Sequence, residues 1–473
     1  MKTLWQKLTL LSAAALFTAC AATPYHTPDI KVPDQYNGAT ISGGDTIVRP
    51  SADQPASAVA NDPWWTAFGD TAFDALVERL FERNSDLAVA TLRVRRAQLA
   101  AGLSRDARYP HLSGQTSAST GRQLDTGDST GKNFSASLQA SYEIDLWNQL
   151  GLAASAAAWE ATATAEDREA TALALVGTTA SAYWQLGYLN QRIASTQASM
   201  TLAQRTLEMV NTQYQSGAVS QLEVREAEKS LQNLEITLAS LHQQRTETRH
   251  ALTLLLDGQT LPEQDEPQNL AAVQSPVIES GLPAELLGRR PDLRAAEQRL
   301  RVSLANIDIT RRSYYPGLSL TGSAGSSSSE LSNLLKNPVG TLGAGLTLPF
   351  LRFNERNLKV ATAKTDYAIA VTQFRQALLA ALADVDNALT ARDSWNTQVA
   401  ALTDNLGKAQ DIERLYEVRY RAGAVPLKSW LDAQESTRNA ELALAQTRLS
   451  QLQNDISLFQ ALGGSARPTV HDQ

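Results

Sequence analysis

Five histidines could carry chemistry: His26, His111, His242, His250 and His471. None falls in a His-Glu-x-x-His or His-x-His pattern, the spacings that bring two imidazoles onto one metal. His242 and His250 lie eight apart on a polar helical stretch, which reads as a solvated face. Gly127-Asp128-Ser129-Thr130-Gly131-Lys132 approaches a phosphate-binding loop. Its spacing is one residue short, and Asn133 stands where Ser or Thr would meet a magnesium ion. Cys20 is the single cysteine, so neither an intrachain disulfide nor a cysteine metal cluster can form. These residues hold no catalytic set, no metal and no cofactor, so the chain is not expected to be an enzyme.

What does recur with fixed spacing is a turn. Tyr214 to Glu228 reads Y-Q-S-G-A-V-S-Q-L-E-V-R-E-A-E, and Tyr420 to Gln434 reads Y-R-A-G-A-V-P-L-K-S-W-L-D-A-Q. The offset is 420 − 214 = 206. Asp86-Leu87 and Asp292-Leu293 share that offset, as do Tyr109-Pro110 and Tyr315-Pro316. Gly217 and Gly423 suit the left-handed position at which one helix stops before another begins. The chain is therefore a tandem copy of one unit, with two helix–turn–helix tips.

The 473 residues carry a net charge of −7, with 19% charged and 6% aromatic side chains. An acidic chain is a poor partner for nucleic acid. The length fits two copies of one unit better than three independent domains.

At the N-terminus, Lys2 and Lys7 precede a short apolar run from Leu8 to Ala19, the pattern of a secretory signal peptide at 1–19. Leu16-Phe17-Thr18-Ala19-Cys20 resembles a bacterial lipoprotein box. That implies a covalent lipid on Cys20, N-acyl and S-diacylglycerol, and Ala21 rather than Asp favours the outer membrane. The alternative is an ordinary signal peptide with an incidental cysteine. No apolar run elsewhere approaches the ~20 residues of a spanning helix, so any crossing must be made by strands.

The elements follow from periodicity. Residues 20–62 are rich in Pro, Gly, Ser and Asp and read as an extended strap. Repeat 1 covers 63–258, a connection 259–290, repeat 2 291–464 and a tail 465–473. Each repeat opens with helices that end at Tyr-Pro, because the residue before proline avoids the helical region. From Phe134, apolar Phe134, Ala136, Leu138, Ala140, Tyr142 and Ile144 alternate with Ser, Gln and Glu, the mark of a two-faced strand. Strands are expected at about 111–121, 133–146, 317–327 and 339–351, with lengths that suit a membrane. From Asn148 and from Asn354, proline-free, Ala-rich helical patterns run to tips at about 214–223 and 420–432 and then return. A helix of about 65 residues extends on the order of 100 Å and needs helices alongside, coiled-coil fashion.

Four amphipathic strands cannot close a barrel, and an open edge cannot sit in hydrocarbon. Several chains must pool their strands and hairpins into a collar with a helical tube. With Cys20, Pro24-Tyr25-His26-Thr27-Pro28, Trp64-Trp65, Arg290-Pro291-Asp292-Leu293, Tyr315-Pro316, the duplicated Gly-Ala-Val tips and Ala461-Leu462-Gly463-Gly464, the chain resembles the TolC/OprM-type outer membrane factors. The resemblance implies a homotrimer with a 12-stranded transmembrane β-barrel, four strands per chain, continued by a long α-helical coiled-coil periplasmic tunnel. It implies an outer membrane exit duct for drugs or other toxic small molecules. The partners would be a periplasmic adaptor and an inner-membrane resistance-nodulation-division pump, and the helices would open like an iris.

Carried over residue by residue, Gly217, Ala218 and Val219 with Gly423, Ala424 and Val425 form the adaptor-docking tips. Glu223 and Asp432 fall at acidic pore positions, and Tyr420 and its repeat partner Tyr214 at gate positions. Three symmetry copies of a carboxylate around a narrow pore repel one another and hold cations. The alternatives are helix N-terminal acids favoured by the macrodipole and tyrosines that merely pack helix ends. Ser429 and Val425 depart from the pattern, standing where a second aspartate and an arginine latch can occur, which leaves Lys428 and Arg225 as substitutes. A lipid-anchored coiled-coil adhesin would explain the helices but not the paired two-faced strands.

Overall fold

The computed structural model describes residues 23–28, 33, 36, 63–125, 127, 129–270, 273, 275–276, 278 and 285–464. The signal peptide expected at 1–19, Cys20 and the tail at 465–473 lie outside the described residues. The main elements are α1 (Thr71–Arg83), α2 (Ser85–Asp106), β1 (His111–Arg122), β2 (Ser129–Ile144), α3 (Gln149–Gln215) and α4 (Gln221–Leu255). The second repeat follows with α5 (Pro291–Arg312), β3 (Gly317–Ser328), β4 (Val339–Thr347), α6 (Phe353–Arg421) and α7 (Leu427–Ala461). Two compact units result: one of Met1–Ile30, Thr91–Glu166 and Arg294–Gln376, the other of Lys31–Ala90, Asp167–Leu293 and Ala377–Gln473.

The first unit holds an antiparallel sheet in the order β1-β2-β3-β4. Its register sorts side chains by parity. Leu112 pairs with Ala140, Leu138 with Ala324 and Leu342 with Gly322, all on one face. Ser117 pairs with Ser135, Gln139 with Ser323 and Ser323 with Thr341 on the other. β2 begins at Ser129, ahead of the expected 133, because Lys132, Gly131 and Ser129 still pair with Thr120, Gly121 and Arg122. β4 ends at Thr347, short of the expected 351. Pro349 has no N–H for a ladder and opens a one-turn 3₁₀ helix, Pro349–Leu351.

The sheet is fastened to its helices by polar bonds. Trp147 Nε1 donates to the Pro316 carbonyl at 2.8 Å, and its ring meets Tyr315 edge-on at 5.2 Å. Arg312 is buried and donates to the carbonyls of Trp147 and Asn148. Asp145 caps α3 by accepting from the amides of Gln149 and Gly151. Leu152 and Ala156 of α3 then pack with Ala305 of α5, and Arg294 pairs with Glu166 at 2.6 Å.

The second unit is centred on aromatic residues. Phe73, Leu76, Val77 and Leu80 line one face of α1, three or four residues apart, and are buried. Phe73 stacks on Tyr183, and Trp64 stacks on Phe459, each pair 5.2 Å apart. The connection after α4 is held by Glu266, which is fully buried and paired with Arg245 at 2.7 Å and Arg249 at 3.0 Å. Arg290 binds Asp292 at 2.8 Å and Asp384 at 3.3 Å. Gly463 has φ +74°, and a Cβ there would lie 2.8 Å from the Arg289–Arg290 backbone, which is why glycine ends α7.

Helices α3 and α6 have 67 and 69 residues. The sequence suggests no apolar run of spanning length outside the signal region. The structure corrects this for α6, whose best stretch has mean hydropathy 1.2 and is, by length and composition, apolar enough to cross a membrane. Only 28% of that stretch is buried within the chain. Alanine and leucine, both strong helix formers, raise hydropathy in the way a lipid span does.

Candidate functional site

The two tips lie in the second unit and share one apolar plug. Val210 of α3, Val224 of α4, and Leu427 and Trp430 of α7 are buried together, with Val219, Tyr416 and Tyr420 against them. Each long helix ends the same way. Gly217 (φ +79°) donates to the Tyr214 carbonyl and Ala218 to that of Gln213. Gly423 (φ +71°) donates to the Tyr420 carbonyl and Ala424 to that of Arg419. These bonds satisfy carbonyls that the helix ends would leave open. Gly217, Ala218, Gly423 and Ala424 are exposed, whereas Val219 and Val425 are half-buried.

The two tyrosines differ. Tyr420 stacks on Trp430 and donates to Gln213 Oε1. Burial pushes its hydroxyl pKa up, the Gln213 bond opposes this, and nearby Glu223 adds to the rise. Tyr214 is 46% exposed and takes no part in the plug. The 206-residue offset makes Val224 the counterpart of Trp430 in repeat 1 (430 − 206 = 224), and valine has no ring on which Tyr214 could lie.

The two acids also differ. Glu223 closes a capping box: its carboxylate accepts from the Ser220 amide at 3.0 Å and from the Ser220 hydroxyl. The hydroxyl bond lowers its pKa. This is the geometry of a helix-start acid, one of the two roles expected for Glu223. Asp432 is 64% exposed and pairs with Lys428 at 3.0 Å. That bond raises the Lys428 pKa. Arg225, the other candidate latch, is tied to Glu228 at 2.7 Å. Trp430, Gln213 and the Lys428–Asp432 pair are not singled out by the motif. The i,i+4 spacing of Lys428 and Asp432 carries the signal for that pair.

The sheet adds a second feature. Its apolar face is uncovered within the chain: Leu342 is 92% exposed, Leu112 74% and Leu346 64%. Its opposite face carries serine, threonine and glutamine, with Ser117 and Ser135 hydroxyls 2.7 Å apart.

The description "Outer membrane efflux protein" matches residues 76–258 and 282–464, two blocks offset by 282 − 76 = 206. The chain belongs to the outer membrane efflux protein family. It is a transport protein of the outer membrane and not an enzyme. "Pyoverdine export outer membrane protein OpmQ" of Pseudomonas putida is 34% identical over 477 residues, covering 98% of each chain. "Toluene efflux pump outer membrane protein TtgC" of Pseudomonas putida is 30% identical, covering 97% of this chain and 95% of its own. Among solved structures, CusC superposes with TM-score 0.79 at 26% identity, over 94% of this chain and 99% of its own. The open-state MtrE channel of Neisseria gonorrhoeae gives 0.77 at 27%, over 94% and 98%.

Proposed function

We propose that three copies of this chain close a 12-stranded barrel in the outer membrane and a helical tunnel beneath it, forming the exit duct of a tripartite efflux system. The observation that carries this reading is the four-stranded sheet with its uncovered apolar face, on which Leu342 is 92% exposed. In water that face costs free energy; against lipid it is stable, and only a closed barrel leaves no open edge. The serine- and threonine-rich face then lines the lumen. The unburied apolar stretch of α6 is consistent with helices of neighbouring copies packing against it.

Cargo passes without chemistry, driven by an inner-membrane resistance-nodulation-division pump through a periplasmic adaptor. The adaptor docks on the exposed small residues Gly217, Ala218, Gly423 and Ala424 beside Val219 and Val425. The Tyr420–Trp430–Gln213 contact holds the helices closed, and opening them is the iris motion. Asp432, with Lys428, sets the charge at the mouth. The relatives are named for pyoverdine and toluene export, and drugs or other toxic small molecules are the cargo class we assign here. Cys20 carries the lipid anchor.

Cross-linking of the protein in intact cells tests the assembly. A cross-linked band at three times the monomer mass supports it; a monomer under all conditions sinks it.

A further inference from the structure

Helices α3, α4 and α7 enclose a cavity of about 210 Å³ within the second unit. α3 contributes Arg192, Thr196 and Ser199, a stripe three or four residues apart. A seam between packed helices ordinarily takes apolar side chains at such spacing. Here short polar ones stand in their place and leave a hollow, and only Leu234 and Leu442 among the described lining residues are apolar. Thr196 is 8% exposed. The other eight threonines of α3 donate to the carbonyl four residues earlier. Among the described residues the Thr196 hydroxyl has no partner, and neither have the side chains of Ser199, Ser230 and Asn233.

The charges in this cavity are unevenly paired. Arg438 pairs with Glu435, and the neighbouring Glu441 accepts from the Ser195 hydroxyl at 2.8 Å. Arg192 has no carboxylate within ion-pair distance among the described residues. Its one hydrogen bond runs to the Tyr188 hydroxyl at 3.3 Å, and its buried Nε has no acceptor. Repeat 2 does not copy the arrangement. At the 206-residue offset Arg192 answers to Gln398 (192 + 206 = 398) and Thr196 to Leu402 (196 + 206 = 402). The plan of the hairpin therefore requires neither the charge nor the hydroxyl.

We propose that this cavity is a binding site for a small oxyanion, a phosphate or a carboxylate. Arg192 and Arg438 supply the charge, and Thr196, Ser199, Ser230 and Asn233 supply neutral donors. A guanidinium without an acid, beside donors without acceptors, lacks negative charge and lone pairs; an oxyanion brings both. Water would satisfy the donors but not the charge. α3 belongs to the first hairpin and α7 to the second, so an anion between them braces one hairpin against the other. The site lies within one chain and does not depend on the duct reading.

Isothermal titration of sodium phosphate, and separately of sodium acetate, into the full-length protein in detergent tests it, in chloride buffer at constant ionic strength. Saturable binding of at least one anion, one site per chain, is expected, and the tighter of the two names the class. Arg192→Gln installs the repeat 2 residue and is expected to weaken binding about tenfold or more, the loss of a charge-assisted bond. Thr196→Leu also installs the repeat 2 residue, fills the cavity and is expected to abolish binding. Arg414→Ala changes an exposed arginine of α6 outside the cavity and is expected to bind like wild type. Should Arg192→Gln fail to fold, Thr196→Leu judges the site. No saturable binding of either anion to wild type overturns it. So does equal affinity in wild type and a folded Arg192→Gln or Thr196→Leu, or a loss in Arg414→Ala as large as theirs.

Discussion

The Tyr420 ring lies on the Trp430 indole, centroids 5.4 Å apart and planes 26° apart, and its hydroxyl donates to Gln213 Oε1 at 2.9 Å. One side chain thus ties α6 to both α7 and α3 at the tips. Tyr420→Phe keeps the stack and removes the bond, at about 1 kcal/mol. Trp430→Val installs the repeat 1 residue and removes most of the buried ring, at about 3 kcal/mol. Both are expected to raise channel conductance, Trp430→Val more. Equal conductance in wild type and Trp430→Val would remove this contact from the gate.

Lys428 and Asp432 are about two-thirds exposed, so their pair adds little to stability. Its effect is on charge. Lys428→Ala is expected to increase cation preference, measured as a reversal-potential shift in asymmetric salt. Asp432→Ala is expected to lower that preference and to raise conductance. Glu223→Gln keeps the capping geometry while dropping the charge, and is expected to leave both stability and conductance unchanged. A selectivity change in Glu223→Gln as large as in Asp432→Ala would place Glu223 in the pore.

Asp292 gives a pH dependence with a definite sign. Burial raises its pKa, but the Arg290 bond and charge outweigh this and hold it below the usual carboxylate value. A depressed folded-state pKa contributes stability that is present above the unfolded value and lost as pH falls through the folded one. Stability lost below about pH 4 is therefore expected to shrink in Asp292→Asn, read as melting temperature against pH. An unchanged acid limb would show that the pair carries none of it.

The chain's glycines should rank by what a methyl group would strike. At Gly217 and Gly423 a Cβ meets nothing within 4 Å, so alanine costs only the left-handed backbone, about 1 kcal/mol. At Gly463 the same φ is joined by the 2.8 Å approach to the Arg289–Arg290 backbone. Gly463→Ala is expected to lower the melting temperature well beyond Gly217→Ala. Bulky replacements of Gly217 and Gly423 together are expected to abolish drug export while the trimer survives, and normal resistance in that variant would contradict docking at the tips.

Parity on the sheet gives a fifth comparison. Leu342→Arg puts a charge on the apolar face, at about 2–4 kcal/mol if that face meets mid-membrane lipid. Thr341→Lys, one residue earlier, enters the polar face and is expected to insert normally. Equal insertion of the two variants would argue against a lipid-facing surface.

Much of this fold is legible in the sequence because its signals are periodic. Alternation from Phe134 to Ile144 fixes which face each side chain takes, and the 206-residue echo finds both tips. Strand ends are less legible, since β2 begins where cross-strand pairing starts rather than where alternation does, and β4 stops for Pro349. At the tips, spacing finds Glu223 but cannot tell a pore acid from a capping acid. That depends on whether Ser220 turns its hydroxyl toward it. Nor does the matching position of Tyr214 and Tyr420 reveal that only one has a ring beneath it. The difference lies ten residues away in sequence, at Trp430 and Val224.

Single-channel recording in planar lipid bilayers tests the conduit most directly. The purified protein is expected to give discrete, cation-preferring current steps, larger in Trp430→Val. Bilayers that stay silent with fully assembled, membrane-inserted protein, wild type and Trp430→Val alike, would contradict it.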